Sequence, residues 1–386
     1  MPEHAGEHRQ GLSEPRRETP GPRTQSGAEV TRRAFLRTAV ASGAALAGSL
    51  TVPSVITRAR GAEKSVKIGI WAGPDGELIK STIVKRFEEK YRVKVLIDEG
   101  ITTEQLARMR ASKNNPTHTV MFMDDIGVTV AHREGLIDRL PDDKIPNLAN
   151  VIPRYISDDG HGVGIQVSTV ALTYDPRELK TAPTSWEAFW DPKHKGKVAV
   201  PSLSSTNGIN LVVTAAALAT GKPLKEAQYE TEAAFQKLAD LKPNLHSIWT
   251  KTPLAVSAMQ QGELVMMGPM YSKGIWPYID RGLSATHTIP QEGAFAGVNC
   301  QTLVKGGPHP ELGAAFINEM LSAESQTLLA NKLIIAPVVK GVELPPKILE
   351  RVAYGDGKEE TLFVSDWEFL IDIRPDWTER WNKVFS

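Results

Sequence analysis

The chain has 386 residues, 41% of them hydrophobic, with 45 basic and 45 acidic side chains and one cysteine, Cys300. A lone cysteine excludes an internal disulfide, so the fold must rest on its core. Residues 1–61 hold 9 of the basic and 5 of the acidic residues, leaving 36 and 40 beyond them, a net charge near −4. That balance argues against nucleic acid, which calls for a basic surface.

Residues 1–30 are rich in Pro, Gly, Glu, Arg and Gln, with little to bury. They are expected to be disordered, or to be an over-long start of the reading frame. Arg32 and Arg33 follow, within TRRAFLR, and then the apolar run TAVASGAALAGSLTV over residues 38–52. That run falls short of the roughly 20 residues a membrane span needs. Twin arginine, short apolar core and small-residue site, in that order, read as a signal peptide for the twin-arginine route. Its cleavage is expected near Ala59-Arg60-Gly61-Ala62. The twin-arginine translocation machinery is then a partner. Cys300 lies far from the signal, so no lipid is expected at the mature N-terminus, and the product is expected free in the periplasm. About 325 residues remain, more than one core usually serves.

Residues 65–71 (SVKIGIW) alternate and read as a strand, and AGPDG as a turn. A helical stripe covers 77–90, a second strand 93–98, and a helix with threonine caps 102–112. Residues 119–123 form an apolar strand ending in Asp124-Asp125, and 128–134 a short helix closed by Gly135. This order predicts an α/β layer sandwich. A long strand-like run covers 164–174, Ser185-Trp186 opens a helix to 190, and 197–200 is a strand. Residues 204–208 read as a loop, followed by helices over 209–219, 231–241 and 252–261 and a strand over 264–267. A second long strand covers 295–305, an amphipathic helix 309–322, and Trp-rich closing helices 366–385.

The two long strands bracket an inserted α/β unit. Two chain crossings between two lobes make a hinge with a cleft between them, and ligand pockets favour such interfaces. The expected partition is residues 62–168 as the first part of lobe one, 169–294 as lobe two, and 295–386 as the rest of lobe one with the closing helices.

Catalytic patterns are missing. There is no G-x-S-x-G elbow and no G-x-x-x-x-G-K-[ST] loop. The nine histidines are scattered, which disfavours a zinc site. Gly160, Gly162 and Gly164 read as a turn. Cys300, in GVNCQTLVK, reads as a buried structural thiol. Neither enzymatic activity nor a cofactor or metal is expected.

The stretch PTSWEAFWDPKHKGKVAVP (183–201) resembles the interlobe segment of the spermidine/putrescine-binding periplasmic proteins, a solute-binding family of ABC importers. KIGIWAG resembles that family's first strand, REGLIDRLP its lobe-one helix end, and GIQVSTVALTYDP its first hinge strand. IPQEGAFAGVNCQTLVKGG resembles the second hinge strand and HPELGAAFINEMLSAESQ the helix after it. The resemblance implies an α/β, two-lobed type II periplasmic-binding fold. It also implies capture of a small solute by hinge closure and delivery to an inner-membrane ABC permease. A monomer is expected.

Carried over residue by residue, the resemblance implies ligand roles for Trp71, Met123, Asp124, Asp125 and Tyr271, with Asp75 a further acid. Aromatic walls and carboxylates suit an ammonium. Trp71 could equally cap the core, and one of the two aspartates is expected to face the cleft. Phe295 and Asn299 are candidates on the second hinge strand. Two departures count against a polyamine. The stretch SLSSTN (202–207) has no acid, and Asn299 and Gly297 stand where the family's aspartate and aromatic neighbour are expected. Ser205, Thr206 and Asn207 precede a helix, and either cap it or favour an anionic or neutral polar group. The expected ligand is therefore polyamine-like, or a related amine or amphoteric compound. The rival readings are a strict polyamine receptor and a secreted two-lobed hydrolase or transferase.

Overall fold

The structure, a computed structural model, describes residues 64–386. Arg32, Arg33 and the expected cleavage site lie outside the described residues.

Alternating apolar residues fix the first strand, β1 (Ser65–Ile70), where Val66, Ile68 and Ile70 are fully buried. Helices α1 (Pro74–Ile79) and α2 (Lys85–Tyr91) follow, joined by a π turn over Lys80–Val84. Strand β2 (Lys94–Glu99), helix α3 (Thr102–Ala111), strand β3 (Val120–Asp124) and helix α4 (Asp125–Arg133) complete the unit. The threonines expected to cap α3 do not. Ile101 holds the cap position, its N–H donating to Glu104 at 3.2 Å. Thr102 instead accepts from the Asp124 N–H at 3.0 Å, tying the start of α3 to the end of β3.

The long strand β4 (Gly162–Tyr174) is buried along its whole length. After it come β5 (Val198–Pro201), α5 (Thr206–Thr220), α6 (Thr231–Leu241), β6 (Leu245–Trp249) and α7 (Thr252–Gln260). Strand β7 (Met266–Tyr271) runs into α8 (Ser272–Ile279). The second long strand, β8 (Ala294–Val304), is also buried throughout, with Cys300 inside it. Helices α9 (Pro310–Met320), α10 (Ala323–Leu333) and α11 (Trp367–Phe385) follow.

The strands order as β2-β1-β3-β8-β4-β7-β5-β6. β1 pairs in parallel with β2 and β3, β5 in parallel with β6 and β7, and the central β8, β4 and β7 are antiparallel. Strands covered on both faces read as continuous apolar runs, as β4 and β8 do. One hydrophobic cluster lies around β1–β3 and the first half of β4. A second takes Val170, Leu172 and Tyr174 of β4 with α5 and α6, and a third lies under α7 and α8. These clusters are the cores of the two lobes.

Two differences from the sequence reading matter. Helix α5 begins at Thr206 rather than Ile209, because the Ser205 hydroxyl accepts from Gly208 N–H at 3.2 Å and caps it. Thr206 and Asn207 are thus its first turn. The closing helices are one helix, α11, and it does not pack solely with lobe one. Trp367, Leu370, Trp377 and Trp381 enter the second cluster, and the Trp377 indole donates to Thr231 at 3.0 Å. Each such buried side chain contributes about 1.5–3 kcal/mol. The other side of α11 reaches α4, through Arg133 to Glu368 and, at 2.7 Å, to Asp372. Between Leu362 and Trp367 the chain thus passes from the first hydrophobic cluster to the second. Among the described residues no helix is long and apolar enough to cross a membrane.

Candidate functional site

The ends of β3 and β7, the starts of α3 and α5, and parts of α4 and α11 converge beside the central strands. Between them lies a cavity of about 360 Å³. Its polar lining is Thr102, Thr103, Asp124, Ser204, Ser205, Thr206, Thr250, Tyr271 and Arg374, and its apolar wall includes Leu106, Ile126 and Ile371. Asp124 and Arg374 are the charged side chains of this lining.

Asp124 takes its place as the last residue of β3. Its carboxylate accepts from the Asn299 amide at 2.7 Å. Burial pushes its carboxyl up, against the pull of Lys273 and of bonds from Thr102 and Asn299. A carboxylate raised by burial gains from any cation that reaches it. Tyr271, closing β7, is held far above its usual range by burial, then by Asp124 and Asp125, so it remains a neutral phenol. Arg374, from α11, donates to the Ser204 carbonyl at 3.0 Å. Desolvation alone lowers its guanidinium, and no carboxylate among the described residues pairs with it. A guanidinium presents a planar fork of donors that matches a carboxylate or phosphate.

A second polar cluster adjoins the first through Asn299. Its carbonyl oxygen accepts from Lys273 Nζ at 2.6 Å and from the Gln166 amide at 2.8 Å. Lys273 Nζ also donates to Asp75 at 2.7 Å, and lies 5.7 Å from the centre of the Trp71 ring. Gln166 donates to the same Asp75 oxygen at 2.8 Å. Burial alone would raise the Asp75 carboxyl; the Lys273 charge and hydrogen bond, with Gln166, hold it below the usual carboxylate range.

Of the residues singled out in the sequence, Asp124, Ser205, Thr206 and Tyr271 line the cavity, while Trp71, Asp75 and Asn299 form the adjoining cluster. Asn207 is buried in the first turn of α5. Met123 and Phe295 are core residues, at 0% and 1% exposure, and do not line the cavity. Asp125 turns away from Asp124, toward a separate cavity of about 250 Å³ lined by Arg154, Ser157 and Trp367. Adjacent residues at a strand end point to opposite sides, which is why only one of the pair faces the cleft.

Lys273, Gln166, Thr102 and Arg374 were missed. One signal was available for Lys273: it sits in the first turn of α8, the unfavourable end of the helix dipole for a cation. Arg374 gave none, being one charge among many in a polar tail. Among the described residues, no group of three or more His, Cys, Asp or Glu is placed to hold a metal.

The model of the bacterial extracellular solute-binding protein family matches residues 82–354. The chain belongs to this family. A gamma-aminobutyric acid-binding protein of Pseudomonas aeruginosa is 26% identical over 259 residues, 64% of this chain and 70% of the relative. A putative 2-aminoethylphosphonate-binding periplasmic protein of Salmonella typhi is 25% identical over 243 residues, 59% of this chain and 64% of the relative. A crystal structure of an ABC transporter from Clostridium perfringens is 26% identical with a TM-score of 0.72, covering 83% of this chain and 100% of that one. This solute-binding protein is thus a receptor of the ABC transporter class with the two-lobed type II fold, and its family and neighbours are binding proteins. The match is to the broader extracellular family, and the narrower polyamine-binding branch is not what it identifies.

Proposed function

We propose that this receptor captures a small solute carrying one ammonium and one anionic group, and hands it to an inner-membrane ABC permease. The ammonium sits on Asp124, with the Tyr271 ring beside it. The anionic end meets Arg374 and the N-terminal turn of α5 at Ser205 and Thr206, where helix N–H groups favour negative charge. The observation that carries this is the cavity's charged lining: one carboxylate and one guanidinium without a counter-ion. The names of two relatives agree, since gamma-aminobutyric acid and 2-aminoethylphosphonate both pair an amine with an acid. Closing of the lobes about β4 and β8 would enclose the solute, with no bond made or broken. Export by the twin-arginine machinery, release into the periplasm without a lipid anchor, and action as a monomer complete the reading.

A strict polyamine receptor would need a second carboxylate for a second ammonium. Asp75 is the candidate in the adjoining cluster, and Lys273 already holds it.

A melting-temperature screen tests the proposal. The panel is ω-amino acids and aminophosphonates against putrescine, spermidine, butyrate and butylamine. A ligand at 100 times its Kd adds about 2.7 kcal/mol to the native state. The zwitterions are expected to raise the midpoint and the single-charge compounds to leave it. Polyamines raising it while zwitterions do nothing would overturn the reading. Arg32→Lys with Arg33→Lys should strand the precursor in the cytoplasm; normal periplasmic levels would refute the export route.

A further inference from the structure

The cluster around Asp75 has the parts of a site for an alkylammonium. A carboxylate supplies countercharge, an amide oxygen accepts a second N–H, and an indole ring lies within the roughly 6 Å at which a cation is attracted to it. Trp71 and Asp75 follow β1, while Asn299 and Gln166 sit on the central strands β8 and β4. The occupant comes from the other side of the cleft: Lys273 is the second residue of α8, after β7, beside the third cluster of the second lobe. Its ammonium spends one N–H on Asp75 at 2.7 Å and one on Asn299 at 2.6 Å.

A lysine in the first turn of a helix gains nothing from the helix dipole. Asp75 supplies what the helix end does not. Both Asp75 and Lys273 are largely shielded, with 17% and 20% of their side chains exposed. Breaking such a pair from one side leaves a half-buried charge without a partner. Asn299 links the cluster to Asp124 of the cavity, since it accepts from Lys273 and donates to Asp124.

We propose that Trp71, Asp75 and Asn299 form an ammonium seat that Lys273 fills from within the molecule, and that this lysine sets the charge pattern of the solute: one ammonium is admitted at Asp124 and a second is refused at Asp75. The inference rests on the zwitterion reading for the role of Asp124, but the seat is testable without it. Lys273 also joins the two lobes, so separating them would empty the seat on the first.

The test compares the wild-type receptor with Lys273→Ala, Lys273→Ser and Lys273→Met by calorimetry and melting. The probes are propylammonium, diamines of two to six carbons, and propanol and propionate as controls. The alanine and serine variants open the seat, and methionine fills it without charge. The open variants are expected to bind propylammonium and at least one diamine on the order of tenfold tighter than wild type or Lys273→Met do. If truncation lowers the midpoint, propylammonium is expected to restore it and propanol to leave it low. Equal amine affinity in all four proteins would overturn the seat, as would a lowered midpoint that no amine restores. Propylammonium binding without gain for any diamine would overturn the specificity role. Failure of the zwitterion reading shows elsewhere, as absent zwitterion binding by the wild type.

Discussion

The ring of Tyr271 rests on Gly297. A Cβ at Gly297 would stand 2.2 Å from Tyr271 Cε1 and 2.7 Å from Cδ1. No real side chain tolerates that approach, so the bare backbone of β8 is what lets the tyrosine lie over the central strands and reach the cavity. The sequence reading noted this glycine as a lost aromatic; it is the floor under another one. Gly297→Ala should push the ring aside, weaken solute binding on the order of tenfold, and leave the fold intact, since the loss is of one aromatic contact. Calorimetry on the folded variant decides it, and unchanged affinity would remove Tyr271 from the binding surface.

The two charges of the cavity make separate predictions. Asp124→Asn should cost affinity for the amine end, and Arg374→Met for the acid end. Hydrogen bonds to charged groups contribute about 1.5–3 kcal/mol, so each loss should be roughly ten- to a hundredfold. With a bound zwitterion identified, titration of each variant checks this. Full affinity in either would take that residue out of the site.

Ser205 tests cap against contact. Its hydroxyl accepts from Gly208 N–H at 3.2 Å and donates to the Ser202 carbonyl at 2.9 Å. Ser205→Ala should therefore lower stability by about 1 kcal/mol, the usual worth of an N-cap. Denaturant melts read that cost. A normal melt with weakened solute binding would instead make the hydroxyl a ligand contact.

Asp125 gives a pH signature. Burial, against the pull of the Trp367 indole and reinforced by Asp124, lifts its carboxyl to about 7. The folded state thus holds a proton that the unfolded chain releases near pH 4. The stability this brings is complete below pH 4 and is lost as pH rises toward 7. Asp125→Asn keeps the shape without the charge. It should be more stable than wild type at pH 8 and differ little at pH 4. Equal pH profiles for the two proteins would show that the carboxyl is not held protonated.

Much of the architecture was legible because it depends on periodicity. The alternation in SVKIGI and the unbroken apolar runs of β4 and β8 determine where those strands lie. What could not be read depends on distance across the fold. Thr102 looks like a helix cap in sequence, yet its hydroxyl serves Asp124, twenty-two residues away. The start of α5 came three residues early because SLSSTN reads as loop until one sees Ser205 turn back on Gly208. Lys273 and Arg374 carry the charge logic of the cleft, but each depends on a partner brought near only by folding. The aspartate pair was the intermediate case: strand geometry required the two side chains to part, without telling which one met the solute.

Helix α11 has a further consequence. Its grip on lobe two is a row of buried tryptophans, whereas its grip on α4 is a set of exposed ion pairs from Arg133 to Glu368 and Asp372. Exposed pairs contribute at most about 1 kcal/mol each and fade as salt shortens the Debye length below about 8 Å. The strut is welded at one end and clipped at the other. Dissolved salt should therefore act as a solvent-side tuner of lobe opening, with the scattering radius of the solute-free receptor growing with ionic strength. A radius indifferent to salt would mean that the clip carries no strain of the motion.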